Sequence, residues 1–303
     1  MTTSWKKLFA LSVLGVALHA VAQVNMRPEV AKPLQAAQEA IQAKQPDVAL
    51  QKIQEARSST PQLTEPEKMF LERLSVVAAM NAQKFDVAST SLDYLLQSKE
   101  LSSADRLTLT ETMVSVSQRN KDHAKVVQWA GRYVQEGGKS QRVHIMKVQA
   151  LALQGLHKDV LQEMQEAYKT AGYQAQESEL RIYAFSQKQL KDDAAYARTL
   201  TQLVTRFPSK DYWADLLNSM GRAPGINART QLDVSRLMDA TATMEDAEDY
   251  LDTAQFALKA GLPYEALRVL DQGHMAGLYK GSTAASYAKL KQQAQQRPID
   301  RAQ

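Results

Sequence analysis

The chain has 303 residues, 44% of them apolar, with 37 Lys and Arg against 33 Asp and Glu for a formal net charge of +4. It contains no cysteine, which excludes disulfides, thiolate metal sites and a lipid-bearing Cys anchor. The charges are interspersed, with no block of about five or six like residues, so the chain carries no nucleic-acid footprint.

The first residues read as a targeting segment. Lys6 and Lys7 precede an uncharged run from Leu8 to Ala22 that ends in Ala20-Val21-Ala22. A basic start, a short apolar stretch and small residues at the cleavage positions predict a signal peptide over 1–22, cut after Ala22. The alternative is an uncleaved anchor, but the run carries His19 and falls short of the ~20 apolar residues that span a bilayer. No later stretch matches it. The expected mature chain, 23–303, is periplasmic or secreted and has no membrane span.

From there on, apolar residues recur at spacings of three and four, as in Leu107, Met113, Val114 and Val116 or Leu180, Tyr183 and Ala184. That is helix periodicity, and no strand is expected. The helices pair around short turns with a small residue near the start of each second helix: Ala49, Ala88, Ala124, Val160, Ala195 and Ala266. The spacing, ~36 residues, is that of stacked supersecondary units, none of which can bury its apolar face alone. Seven hairpins are predicted, at about 31–58, 65–98, 102–136, 139–171, 175–207, 209–241 and 245–278. A polar helix at about 282–297 would cap the stack. Thr64 before Glu67, Ser102 before Asp105 and Thr243 before Asp246 supply N-terminal caps. Gly137-Gly138, Gly172 and Gly277 fall where helices end.

Helix pairs of this period, with turns such as Asp86-Val87-Ala88 and Glu265-Ala266-Leu267, resemble the tetratricopeptide repeat (TPR). At the repeat position where that family usually has Gly, this chain reads Ala37, Val76, Thr112, Val148 and Ala254. The run containing Asp211-Tyr212-Trp213-Ala214-Asp215-Leu216 also resembles exported TPR-like proteins of Gram-negative bacteria. The resemblance implies an all-α, right-handed α-solenoid that binds a protein or peptide and catalyses nothing. It further implies a groove lined by the first helix of each pair. On its ligand-contacting rows fall Arg73, Asn81, Arg106, Arg142, Gln149 and Lys188, beside Phe70, Ser117, Leu153 and Lys259. Arg73, Arg106 and Arg142 would form a basic ladder suited to an extended peptide or a carboxylate-rich chain end.

Other motifs carry less. Gly138-Lys139-Ser140 resembles the end of a phosphate loop, but Tyr133 stands where that loop needs a glycine, and the segment joins two helices. His123, His144, His157 and His274 show no ligand spacing, and His123 and His157 are expected to be solvated turn residues. The acids from Glu245 to Asp252 open a helix rather than a cation loop. Trp129 and Trp213 are expected as core wedges. No serine-hydrolase elbow or catalytic cysteine occurs, so no catalytic residue, cofactor or metal is expected. A second candidate partner site is the long turn of the sixth hairpin: Arg222, Pro224 and Gly225, followed by Arg229, Asp233 and Arg236, the last three predicted to pair as ions on one helix face. The plainer reading is a longer surface loop with an ion-pair ladder. Two other functions stay open: a helical accessory part of a cell-wall-acting enzyme system, and a small-ligand binder with a pocket beside Tyr212 and Trp213.

Overall fold

The computed structural model describes residues 26–59, 62–221 and 225–296. The expected signal peptide therefore lies outside the described residues. Among these residues the structure has fifteen helices and no strand. None of them is long and apolar enough to cross a membrane. The chain divides into two compact units after Leu156.

The first unit holds α1 (Pro28–Gln42), α2 (Pro46–Ser58), α3 (Glu65–Asn81), α4 (Phe85–Gln97), α5 (Ser103–Arg119), α6 (His123–Gln135) and α7 (Gln141–Leu153). Helices α1 and α2, α3 and α4, and α5 and α6 pack as pairs, and each pair packs on the next. Leu34, Ile53, Leu71 and Leu74 fill the space between the first pair and α3, and Leu92, Leu95, Met113 and Val116 fill the space between the second and third pairs. Trp129 lies half-buried where the second of these clusters meets a third, formed by Val114, Val126, Val143 and Met146, as a wedge would.

The second unit holds α8 (His157–Tyr168), α9 (Glu177–Gln189), α10 (Asp193–Arg206), α11 (Lys210–Gly221), α12 (Ala228–Ala240), α13 (Ala247–Lys259), α14 (Pro263–Met275) and α15 (Ser282–Gln296). Leu232, Leu251, Leu258 and Leu270 form an apolar cluster, which α15 closes with Ala294, Tyr287 and Leu290. Tyr287 is sandwiched between Tyr279 and His274, at centroid distances of 4.7 and 5.1 Å.

One backbone device recurs at helix ends, here in six of them. Lys44, Gln83, Lys121, Gly155, Lys191 and Gly261 all take left-handed φ, between 58° and 78°. The next residue then donates its N–H to a carbonyl near the end of the helix: Gln45 to Ala40, Lys84 to Ala79, Asp122 to Ser117, Leu156 to Leu151, Asp192 to Gln187 and Leu262 to Ala257, at 2.8–3.0 Å. This closure satisfies carbonyls that a helix end leaves open. Four of the six positions lack glycine and carry a steric cost of about 1 kcal/mol each. Sequence reading found the turns but not this cap, because Lys and Gln do not announce a left-handed residue.

The closure fixes the repeat register and corrects it in two hairpins. Four residues after the donating residue come Ala49, Ala88, Val126, Val160, Tyr196 and Ala266, all buried. Ala124, the expected marker of the third hairpin, is exposed, and Val126 takes its place against the core. The interior position expected at Thr112 is likewise held by the fully buried Val114. Smallness suggested Ala124, whereas burial selects the β-branched residue two positions on. A second correction concerns α13. Its N-cap is Asp246, in a capping box with Asp249, whereas Thr243 is buried and donates to the Met238 carbonyl.

Candidate functional site

In the first unit, α3, α5 and α7 are joined by polar contacts along one face. Arg73 on α3 meets Asp105 on α5 at 3.4 Å. Ser140, just before α7, donates to Glu111 at 3.3 Å, and Arg142 reaches the Ser115 hydroxyl at 3.4 Å. Gln118 and Gln149 join their amides at 3.2 Å. Of the residues expected here, Arg73, Arg142 and Gln149 do lie on this face, and Asn81 is exposed at the end of α3.

Arg106 does not belong with them. Its guanidinium donates to the Leu96 and Ser98 carbonyls at 2.9 and 2.7 Å and closes the end of α4. The slipped register placed it in the groove; its chemistry is that of a helix cap. The same slip hid Arg119. In the corrected frame Arg119 takes the place of Asn81 one hairpin on, whereas Ser117, expected there, is buried. Arg119 lies over the Phe85 ring at 5.6 Å. Burial lowers the proton affinity of Arg142, Glu111 opposes that shift, and the positive charge of Arg119 adds to it. Two guanidinium groups on neighbouring helices thus sit within each other's field, a place where an anion lowers the electrostatic energy.

Lys188 lies in the second unit, exposed on α9, with its ammonium 5.5 Å from the Tyr196 ring centre. In the alternative site, Arg222 and Pro224 lie outside the described residues. Gly225 is exposed with φ 79°, and Arg229 is exposed on the first turn of α12. The expected ladder is re-aimed: Arg236 pairs with Asp233 at 3.0 Å but reaches across to Glu265 at 2.6 Å, and Arg229 takes no part. That pairing holds the Glu265 carboxyl below the usual range.

The weaker motifs resolve in structural terms. Gly138 donates its N–H to the Tyr133 carbonyl, and a Cβ there would stand 2.2 Å from the Tyr133 ring, so this glycine serves close packing. His157 is not simply solvated. Its Nδ1 lies 3.3 Å from the Ser186 hydroxyl, and its ring meets Phe185 edge-on at 5.5 Å. Tyr212 donates to Glu177 at 2.5 Å, and burial first, then this bond, pushes its hydroxyl up to about 12. Among the described residues no group of three His, Cys, Asp or Glu is placed to hold a metal.

No family model matches the chain. No curated protein matches it either. Among solved structures it is similar to a tetratricopeptide repeat protein from Parabacteroides merdae, at 11% identity, covering 89% of this chain and all of that one, with a TM-score of 0.47. It is also similar to the TPR2AB domain of yeast Sti1, solved in complex with a pHSP90 ligand, at 14% identity over 88% of this chain and 98% of that one, TM-score 0.43. A third is the P58(IPK) TPR domain, at 13% identity over 88% of this chain and 79% of that one, TM-score 0.30. Likeness at this level transfers no residue role or partner. What the chain's own geometry establishes is an all-α array of helix pairs closed by one repeated backbone turn.

Proposed function

We propose that this protein is an exported, non-enzymatic interaction scaffold of the tetratricopeptide type. In this reading the polar face of α3, α5 and α7 holds an extended segment of a protein partner. The observation that carries it is the set of contacts Arg73–Asp105, Arg142–Ser115 and Gln118–Gln149. They fix side chains that can still offer donors and acceptors, so a bound segment would find them already oriented. The charge of the paired guanidinium groups of Arg119 and Arg142 favours a partner that brings carboxylates. Export and a periplasmic location rest on Lys6, Lys7 and the apolar run to Ala22.

The test is affinity capture of the mature chain from the periplasm, with captured proteins quantified for wild type and for Arg73→Ala/Arg119→Ala/Arg142→Ala. Partners that fall at least tenfold in the variant support the reading. An unchanged catch, or turnover of a cell-wall polymer by the purified chain, overturns it.

A further inference from the structure

The chain has eleven methionines and no cysteine, so thioethers carry all of its sulfur chemistry. Their burial differs widely. Met113 and Met164 are fully buried, and Met146 and Met244 nearly so. Met113 packs with Leu92, Leu95 and Val116 and takes the Ser89 hydroxyl on its sulfur at 3.7 Å. Met275, the last residue of α14, is 80% exposed, and Met220, at 38%, is the next most open among the described residues. Packing does not account for Met275. Tyr264, Arg268, Asp271 and Met275 are spaced four, three and four apart on one side of α14, and all four are exposed. Arg268 and Asp271 are ion-paired to Asp239 and Lys291 at 3.0 and 2.8 Å, so the thioether ends a solvated, charged face. That face belongs to the second helix of its pair, not to the first-helix side that would hold a partner.

We propose that Met275 is a site of reversible oxidation to methionine sulfoxide by peroxide. The sulfur lone pair attacks one oxygen of hydrogen peroxide, the O–O bond breaks, an S–O bond forms and water leaves. The thioether gives up two electrons and the peroxide gains them. A thiol-dependent methionine sulfoxide reductase returns the thioether, releasing water and a disulfide. The added oxygen makes the side chain polar, which is harmless where the side chain already stands in water. At Met113 the same oxygen would enter a closed apolar cluster, where a polar group without partners is destabilising. Exposure therefore lets the oxidant reach Met275 and lets the fold tolerate the product. The assignment depends neither on export nor on what the chain binds.

The test treats the mature chain with hydrogen peroxide and follows each methionine by peptide mass mapping. Met275 should gain oxygen at least tenfold faster than Met113 and Met164, and ahead of Met220. Circular dichroism and urea unfolding of the chain oxidised only at Met275 should match the untreated protein, and methionine sulfoxide reductase should remove the oxygen from the folded chain. In Met275→Leu the first oxygen should enter later, at Met220. Oxidation of Met275 no faster than Met113 or Met220 overturns the proposal. So does unfolding that tracks the Met275 sulfoxide, or a Met275 sulfoxide that the reductase leaves in place.

Discussion

The starts of α3 and α13 use the same chemistry to opposite effect. Both open with a capping box in which an acid at the third helical position returns to the backbone of the N-cap. In α3 that acid, Glu67, is 1% exposed and also receives the side chain and backbone of Arg27, forty residues earlier, with its shortest contact at 2.6 Å. Arg27 goes on to the Gln62 carbonyl at 2.8 Å, so one carboxylate ties the first hairpin to the second. In α13 the acid, Asp249, bonds only its local backbone and stands among Asp246, Glu248 and Asp252. Burial first, then Asp249 and Glu248, raises the Asp252 carboxyl above its ordinary range. A cap becomes a structural tie when a distant cation meets it; without one, further acids crowd the same helix start.

Breaking the tie should have the largest effect. Glu67→Gln takes the charge from a buried acceptor that half-exposed Arg27 and the α3 cap share, and should destabilise the first unit by about 2 kcal/mol in urea unfolding. A loss below ~1 kcal/mol would make Glu67 an ordinary cap. Acid should find the same tie. The Arg27 contacts hold Glu67 at about 2, below its ordinary 4.5. A lowered folded value means that the stabilisation is complete above 4.5 and drains away as pH falls from there toward 2. Wild type should therefore lose stability over that window, and Glu67→Gln should show a flatter slope when stability is followed by circular dichroism. On the other side, Asp249→Asn keeps an acceptor for the N-cap and should cost only about 0.5 kcal/mol. The smallest effect has the opposite sign. Asp252→Asn removes a like-charge pair with Glu248 one turn away and should stabilise the second unit by about 0.3 kcal/mol at low salt, vanishing at high salt.

The sequence disclosed some of this and not the rest, for physical reasons. Thr64–Glu67 and Ser102–Asp105 were legible because a cap is local, formed by residues three apart. The pairing of helices was legible because burial imposes a period. The Arg27–Glu67 tie was not, since nothing in the spacing of two residues that far apart marks them as partners. The groove suffered from a subtler fault. Ala124 is small but exposed and Val126 is larger but buried, and that shift of two residues moved Arg106 onto the face and Arg119 off it.

The repeated turn has a consequence for how such a chain can change over time. Its closing bonds run from a main-chain N–H to a main-chain carbonyl, and the residue at the bend is lysine, glutamine or glycine without altering them. Nothing in that hinge of the hairpin records which side chains once stood there. Drift can therefore rewrite the residue at the bend while the turn, and the register of the faces it presents, stays in place.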